Sequence, residues 1–448
     1  MTDFTIILRS LRARLFSTVV TAITVAVAVG LMLVLLSMSD AGRQAFNQGT
    51  GNMHLLVSRD ASPMVAILNG VFYANPPQRP IMWEKYQEIA ANPLLEWAIP
   101  TQQGDSYEGF PVLATLPEFF TKFTPNENEP WKLREGRFIR GAKDPLPAGE
   151  KGPDRPDAYA YEVVLGSAAA KGTGLKVGDE IFLTHGINAS RQLGAPQEEA
   201  PHVHKDFSYR VVGILMPTGS AHDRALFTHL DGAWVLHAHD RRKDADESVT
   251  KTTLADIEPG DRKITGIYLR VLTRAGAQGS ASLPVVYDQL RRDSSITVAQ
   301  PKQQIDTLFR IVGNIDSIFV ALAAAVMLSS GIGIMLAMYN SMNERRRQVA
   351  VLRVLGCSRG RVFGLILTES AMIGVIGAVA GAGLAVVGGF LVAGVLKEQI
   401  GLSVTPVFSA PAIMTVVLAT VALAAVAGVI PAILAYRTPV ANNLRPIG

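Results

Sequence analysis

The histidines are the residues of this sequence whose spacing points most directly to chemistry. Two pairs have a single residue between their members, His202 with His204 and His237 with His239. Alternate residues of a strand face the same side, so a pair on a strand would present two imidazoles to one ion, and zinc favours such ligands. The sequence does not set the distance between the pairs, and no cysteine lies near them. A zinc site and histidines with no shared role therefore both remain open.

Glu369 is the only charged residue within the long apolar segments described below. Ion-driven transporters usually carry ionisable groups inside the membrane. Glu369 follows Arg361 by eight residues, which is about 12 Å along a helix. It is therefore expected either at the inner membrane interface or in a buried polar contact. A single residue of this kind does not predict an ion-driven pump.

Several common chemistries have no matching motif. The sequence lacks G-x-x-x-x-G-K-[ST], in which backbone amides and a lysine bind phosphates, and it lacks G-x-S-x-G and H-E-x-x-H. The net charge is only +4 without a basic stripe, so no nucleic acid is expected as a partner. Cys357 is the single cysteine, which excludes an intramolecular disulfide. We expect no enzyme, no cofactor bound by this chain, and energy supplied by a partner.

Four apolar segments are long enough to cross a bilayer as helices, which takes about 20 residues. They are 16–38, 317–340, 362–396 and 408–436. The first is longer than the apolar core of a cleavable signal peptide, which has about 7–15 residues, so an uncleaved span is expected. Pro431 is expected to kink the fourth span near its end or to mark the interface.

Basic residues beside these segments predict the orientation of the chain. Arginines precede the first span, fill the segment between the second and third, and follow the fourth. Basic flanks remain in the cytoplasm. The termini 1–15 and 437–448 and the loop 341–361 are therefore expected inside the cell. Residues 39–316 and the short loop 397–407 are expected outside.

The segment between the first two spans predicts an α+β domain carried on helical stalks. Short apolar runs indicate strands and two other runs indicate helices. The strands are 160–165, 180–184, 209–216 and 264–271, and the helices are 82–91 and 284–292. Before the second span, apolar residues recur at helical spacing: Ile305, Leu308, Phe309, Val312 and Ile315. This stripe could pack on the first stalk, on its own domain or on a second copy.

The cytoplasmic loop contains the segment best suited to bind a partner. Residues 343–356 predict a helix that ends at Gly356, because glycine readily adopts the left-handed conformation of a C-cap. Val351, Val354 and Leu355 form one apolar side of it. Such a helix docks into a groove of a partner or lies on the inner leaflet, and the residues alone do not decide between these.

Gly377 and Gly381 form a G-x-x-x-G pair in the third span. Small residues at this spacing let two helices approach closely, within one chain or between two copies. Small residues are also common in membrane helices generally. A packing contact and a dimer contact are both open.

The loop and the third span resemble one known family. The run NERRRQVAVLRVLGCSRGRVFGLILTESAMIGVIGAVAGAGLA is similar to the corresponding part of FtsX-like ABC permeases, which include the MacB and LolC/LolE permeases. The closing stretch PAILAYRTP resembles the family's C-terminal signature, and LREGRFI and YRVVGILMPTGSAHDRALF resemble its periplasmic core domain. Gln348 stands where the family usually has an acid, which puts any role of that acid in doubt here.

The resemblance implies four transmembrane helices plus an extracytoplasmic α+β domain of the MacB periplasmic-core type, in the inner membrane. It implies a separate ABC ATPase that carries ATP and Mg²⁺, a second permease copy, and a periplasmic adaptor or lipoprotein. Closure of the ATPases would move the stalks and the outer domain, which is mechanotransmission, to export or extract a substrate. The residues expected to contact the ATPase are Asn343, Glu344, Arg347, Val351, Leu352, Arg353, Leu355 and Gly356.

Two other functions are compatible with these features. A signalling permease would pass the state of the ATPase to a periplasmic partner such as a cell-wall hydrolase, although the large outer domain favours transport. The His-x-His stretch before YRVVGILMPTGS resembles a subgroup of these permeases associated with metal-linked operons. A metal-binding sensor is therefore the second alternative.

Overall fold

The chain folds into two compact units. A computed structural model describes residues 3–77, 79–126, 129–145, 157–185, 203–274, 279–399 and 406–437. Met1–Gly42, Ile311–Glu398 and Val404–Gly448 form one unit, called here the helical unit. Arg43–Arg310 and Gln399–Ser403 form the other, called the middle domain.

The secondary-structure elements are numbered in chain order. The helices are α1 Asp3–Ala13, α2 Leu15–Asn47, α3 Pro63–Gly70, α4 Trp83–Ala90, α5 Glu118–Lys122, α6 Ser167–Thr173, α7 Leu230–Ala245, α8 Leu283–Arg291, α9 Pro301–Val354, α10 Arg359–Gln399, α11 Ala410–Ala427 and α12 Val429–Arg437. The strands are β1 Leu55–Ser58, β2 Ile81–Met82, β3 Leu95–Tyr107, β4 Phe110–Thr115, β5 Leu133–Gly136, β6 Glu162–Leu165, β7 Glu180–His185, β8 Val203–Leu215, β9 Leu226–His229, β10 Lys263–Ile264, β11 Gly266–Val271 and β12 Thr297–Ala299.

Four helical segments within the described ranges are long and apolar enough to cross a membrane. They are Leu15–Gly42, Ser317–Met342, Arg359–Val395 and Ala410–Arg437. A peptide group in hydrocarbon has no water to bond, so a spanning segment must satisfy its own N–H and C=O groups as a helix. Each of the four apolar segments found in the sequence is helical, which confirms the predicted fold class.

The fourth span is broken into α11 and α12, one turn before the predicted kink at Pro431. Proline has no N–H, so Pro431 cannot bond to the carbonyl of Ala427, four residues earlier. The helix is interrupted at Gly428, whose N–H donates to the carbonyl of Ala424 at 3.1 Å. A Cβ at Gly428 would lie 2.0 Å from Ser370 Oγ, so only glycine lets α11 approach α10 this closely.

The helices of the helical unit share one apolar core. Every long helix contributes buried side chains, which include Val25, Val29, Ile334, Met338, Ile373, Ala378, Val416 and Ala424. Large apolar side chains also cover the opposite faces, among them Val379, Leu391, Met414 and Leu418. Such a fully apolar exterior is typical of a lipid-facing surface.

The middle domain is built on one mixed sheet. The strand order is β12-β1-β11-β3-β4-β9-β6-β8-β5, and β7 pairs with both β3 and β8. The β4–β9 and β6–β8 pairs are parallel, and the other pairs of this sheet are antiparallel. All four predicted strand segments lie in this domain as β6, β7, β8 and β11, and the two predicted helices are α4 and α8. The predicted α+β class is thus confirmed.

A buried ion cluster fastens the segment after β5 to the sheet. The Glu162 side chain is 5% exposed and accepts hydrogen bonds from the two terminal nitrogens of Arg137, Nη1 and Nη2, at 2.7 and 2.8 Å. Arg140 donates to the same carboxylate from its Nε at 2.7 Å and from its backbone N–H at 3.0 Å. The buried Glu162 carboxylate is therefore shared by two half-buried arginines.

The Glu162 cluster predicts a large loss of stability when the carboxylate is neutralised. Glu162→Gln keeps the shape but removes the negative charge that Arg137 and Arg140 share, and breaking a buried ion pair typically costs about 3–5 kcal/mol. Denaturant unfolding of the full chain in detergent, followed by tryptophan fluorescence, measures this, because all four tryptophans lie in the middle domain.

The matched control for that measurement is Glu96→Gln. Glu96 pairs with Arg270 at 2.9 Å on the surface, where its side chain is 44% exposed. Exposed ion pairs contribute at most about 1 kcal/mol. Equal losses in the two variants would contradict the assignment of the Glu162 cluster as a buried anchor.

Candidate functional site

The segment expected to bind a partner is the end of α9 and not a separate loop helix. α9 runs for 54 residues from Pro301 to Val354 without a break, which is about 80 Å of helix. No glycine or proline occurs between the end of the second span and Gly356, so nothing in the sequence interrupts the helix there. The second span and the segment 343–356 therefore form one element.

The C-terminus of α9 is closed by the predicted glycine cap. Gly356 has φ of 94°, in the left-handed region. The N–H of Cys357 donates to the carbonyl of Leu352 at 3.0 Å, and the N–H of Gly356 donates to that of Arg353 at 3.2 Å. This pair of bonds is a Schellman motif, which requires a residue without a Cβ penalty at this position.

The last turns of α9 have a buried face and an exposed apolar face. Val349 is buried in the core of the helical unit, and Ala350 is also buried. Val351, Val354 and Leu355 are 43%, 63% and 78% exposed, and we call these three residues the apolar ridge. Large apolar side chains next to arginines, outside the long apolar spans, favour a surface that another protein covers.

The remaining predicted contact residues lie around the apolar ridge. Arg347 is exposed, whereas Leu352 and Arg353 are half-buried and thus less accessible than the sequence suggested. The side chains of Asn343 and Glu344 lie outside the described residues, although their backbone is part of α9.

Helix α1 packs on the helical unit and was not predicted from the sequence. Ile7 and Leu11 are buried in the core of that unit. Arg361 donates two hydrogen bonds to Asp3, at 2.6 and 3.1 Å. The signal was present, because these two apolar residues recur at the i, i+4 spacing of a helical face. The N-terminal segment is therefore attached to the start of α10.

Glu369 is the acceptor for the junction between α1 and α2. Its carboxylate accepts a hydrogen bond from the Ser10 hydroxyl, and Arg14 lies 3.6 Å from the same oxygen. Glu369 is only 5% exposed. Of the two expectations, the buried polar contact is the one observed. Its role is to hold the start of the first span against the third, because Ser10 lies in the last turn of α1 and Arg14 lies between α1 and α2.

Gly377 and Gly381 of α10 face the first span of the same chain. A Cβ at Gly377 would lie 2.5 Å from Val25 Cγ1, and one at Gly381 would lie 2.7 Å from the carbonyl oxygen of Ala26. Because neither glycine has a side chain, the backbone of α10 lies in direct contact with α2 at both positions. The G-x-x-x-G face is filled within the chain.

The predicted pair of His237 and His239 does not lie on a strand. His237 and His239 lie on α7, where residues two apart do not share a face. His237 contacts the side-chain amide of Gln102 at 3.1 Å, and His239 contacts Thr252 Oγ1 at 3.1 Å. His204 belongs to β8, and its side chain, like all of His202, lies outside the described residues. No three metal-ligating side chains converge anywhere in the described ranges.

His222 is a buried histidine that the sequence did not single out. It is 0% exposed within the aromatic core of the middle domain. Its Nε2–H donates to the carbonyl of Gly49 at 2.9 Å, and its Nδ1 accepts from the Tyr73 hydroxyl at 2.6 Å. Burial lowers the pKa of His222 to about 4, so the ring is neutral. It fixes the segment that follows α2 to the domain core.

Family models cover both units of the chain. A model described as "FtsX-like permease C-terminal" matches residues 320–440, and one described as "MacB-like periplasmic core domain" matches residues 18–281, more than half of the chain. The matched residues include the apolar ridge, Glu369 and the glycine pair, as well as the Glu162 cluster and His222.

Individual relatives agree with the family models. The chain is 24% identical over 393 residues to the macrolide export ATP-binding/permease protein MacB of Wolinella succinogenes, covering 84% of this chain and 52% of that protein. It is 33% identical over 116 residues to the pyoverdine export ATP-binding/permease protein PvdT of Pseudomonas aeruginosa, covering 26% of this chain and 16% of that protein. The chain thus spans about half, or less, of the length of these relatives.

One solved structure is similar to part of the chain. It is the periplasmic region of MacB from Actinobacillus actinomycetemcomitans, with 12% identity and a TM-score of 0.31, covering 59% of this chain and 95% of that one.

The glycine contacts predict that Gly377→Ala destabilises the helical unit. The added methyl group would overlap Val25, and overpacking costs about 1–3 kcal/mol. Gly383→Ala is the matched control, because a Cβ at Gly383 meets nothing within 4 Å. Heating in detergent with a thiol-reactive dye measures the change, since Cys357, the single cysteine, lies in this unit. An unchanged midpoint in Gly377→Ala would exclude the contact with the first span.

The buried state of His222 predicts that the middle domain loses stability in acid. In the unfolded chain the imidazole has a pKa of about 6.5. Just below that pH the unfolded imidazole is protonated, whereas the native ring, with its lowered pKa, is still neutral. Protonation therefore favours unfolding as the pH falls from about 6.5 to about 4, by about 3 kcal/mol in all. Tryptophan-monitored unfolding of the full chain at several pH values measures this loss.

A pair of variants isolates the contribution of His222. His222→Gln should remove this part of the pH dependence whatever its effect on stability at neutral pH. His237→Gln, at a half-buried position, should keep it. If both variants retain the dependence of the wild type, another group is responsible for it.

Proposed function

The chain belongs to the family of FtsX-like, MacB-type ABC transporter permeases, and from that premise we propose that it transmits ATP-driven movement from a separate ATPase to its middle domain. The chain itself is no enzyme in this proposal. In this proposal the ATPase carries ATP and Mg²⁺. The work done is export or extraction of a substrate that the middle domain handles.

The observation that carries this proposal is the continuity of α9. The helix begins at Pro301, in the middle domain, and ends at Val354 beside the apolar ridge. Each peptide group of a helix is bonded to the next turn, so a helix resists compression along its axis. A displacement applied at the ridge is therefore passed along one element. α2 likewise crosses the division between the two units, at Gly42 and Arg43.

The apolar ridge is the proposed contact with the ATPase. An apolar helical face that ends in a rigid cap suits docking into a groove of a partner. The Schellman motif at Gly356 sets the direction in which Leu355 projects, and Arg347 adds a positive charge one turn before the ridge. The ridge is thus an apolar contact with a charged rim, which is the usual composition of a protein interface.

The proposed setting is the inner membrane, with both termini and the apolar ridge in the cytoplasm and the middle domain in the periplasm. The arginines that flank the spans support this orientation. A second copy of the chain and a periplasmic adaptor or lipoprotein complete the proposed assembly.

The test is co-purification with an ATPase. The tagged full chain is isolated in mild detergent from cells that express it natively, and a bound ABC ATPase is identified by mass spectrometry and ATP hydrolysis. Leu355→Asp should lower recovery of the ATPase at least about tenfold, because a charge desolvated in an apolar contact costs more than 1.4 kcal/mol. Arg347→Glu should also lower recovery, because it reverses the positive charge on the rim of the ridge.

Leu272→Asp is the matched control for that experiment. Leu272 is an exposed leucine of the middle domain, 48% exposed, so the same change is made away from the ridge. Its recovery of ATPase should equal that of the wild type. If the ATPase is retained by Leu355→Asp, or if none is bound by the wild type, the apolar ridge is not the contact.

A further inference from the structure

A polar cleft lies at one edge of the sheet in the middle domain. β12 stands at the end of the strand order, and Ser58 at the end of β1 pairs with Thr297 at the start of β12. The cleft lies beside this pair, where α3, the segment before β2 and the segment before β12 meet, and its volume is about 790 Å³. Sites for small molecules typically measure about 300–1,000 Å³. The cleft is therefore large enough for a small-molecule ligand.

Two arginines of this cleft have no carboxylate partner among the described residues. Arg59 and Arg79 both line the cleft, and both are exposed. Arg59 Nη1 donates to the backbone carbonyl of Pro80 at 3.0 Å, which orients the Arg59 side chain but does not neutralise its charge. Arg79 forms no hydrogen bond or ion pair with another residue that the structure describes. Both guanidinium groups can therefore bind the charge of a ligand.

The acidic residue of the cleft is occupied by neutral donors. Asp60 is the one acid among the described residues that line it. Its Oδ1 accepts a hydrogen bond from Asn69 Nδ2 at 2.8 Å, and its Oδ2 accepts one from Ser58 Oγ at 2.8 Å. One carboxylate cannot balance two guanidinium groups, so the described lining has a net positive charge. A positively charged cleft with protein walls attracts anions.

Hydrogen bonds and an ion pair hold the walls of the cleft in place. Thr297 Oγ1 donates to the backbone carbonyl of Asp60 at 2.6 Å, which joins β12 to the segment after β1. The backbone N–H and the hydroxyl of Ser295 donate to Asp293 Oδ1, at 2.8 and 2.6 Å. Asp293 is itself paired with Lys85 at 2.6 Å. A site with fixed walls loses less conformational entropy when it binds a ligand.

We propose that this cleft binds a small soluble molecule through a carboxylate or phosphate group held by Arg59 and Arg79. The planar guanidinium group matches the oxygens of both kinds of anion and can donate two parallel hydrogen bonds to them. Asn75, Ser294 and Ser295 add amide and hydroxyl groups to the lining, which suit a polar ligand better than an acyl chain. The site does not depend on the proposed ATPase partner, so either proposal can fail without the other.

The test is titration calorimetry of the full chain in a non-ionic detergent with two defined anions. Pyrophosphate presents the phosphate group and citrate presents the carboxylate group. Sodium chloride at equal ionic strength measures the effect of charge screening alone. The wild type is expected to bind at least one of the two anions at a single site, with a Kd below about 1 mM. The anion that binds more tightly identifies the class of ligand.

Arg79→Gln is the most informative variant, because Arg79 is exposed and its loss breaks no bond with another described residue. It should weaken binding of the anion at least about tenfold, since it removes a charge-assisted contact. Arg59→Gln should weaken binding as well. Tryptophan-monitored unfolding verifies that each variant is folded.

Arg134→Gln is the matched control. Arg134 is an exposed arginine on β5, at the opposite end of the strand order, so the same charge is removed away from the cleft. It should bind the anion as the wild type does. The proposal is overturned if the wild type binds neither anion with a Kd below about 1 mM, or if Arg79→Gln binds as tightly as the wild type. Equal weakening in Arg79→Gln and Arg134→Gln would also overturn it, because only the total charge would then matter.

Discussion

The hydrocarbon core of a bilayer offers a peptide group no hydrogen-bond partner, and the architecture of this permease depends on that constraint. It requires the four spans to be helices, and it requires each polar side chain within them to form a hydrogen bond with a neighbouring group. Glu369 obeys the rule, because Ser10 and Arg14 satisfy its carboxylate at the point where α1 gives way to α2. Where the constraint cannot be met, as at Pro431, the helix is interrupted.

The lipid also removes the hydrophobic driving force for packing between helices, so the spans associate through close van der Waals contacts. Lipid is as apolar as leucine, and helices in a membrane gain mainly from contacts that small residues allow. Gly377 and Gly381 allow close contact with the first span, and Gly428 allows close contact with Ser370. The middle domain follows the opposite logic: its core is large and aromatic, built around Phe119, Phe227 and Tyr268. Its buried Glu162 carboxylate is stabilised by two arginines.

The unbroken helix α9 belongs both to the helical unit and to the middle domain. Its first turns belong to the middle domain and its last turns carry the apolar ridge, which the other described residues leave exposed. Within the proposed function, this continuity is what would let a movement at the ridge reach the middle domain.

The sequence by itself determined the four spans, the α+β class of the middle domain and the cap at Gly356, because hydrophobic length, alternation and glycine placement are local signals. It did not reveal that the span and the loop helix are one, since a span boundary is set by lipid and not by the chain. Only the tertiary structure decided that the glycine pair meets the first span and that Glu369 meets Ser10. It also placed His237 and His239 on a helix. Those contacts join residues far apart in the chain, and their distances depend on how whole elements pack.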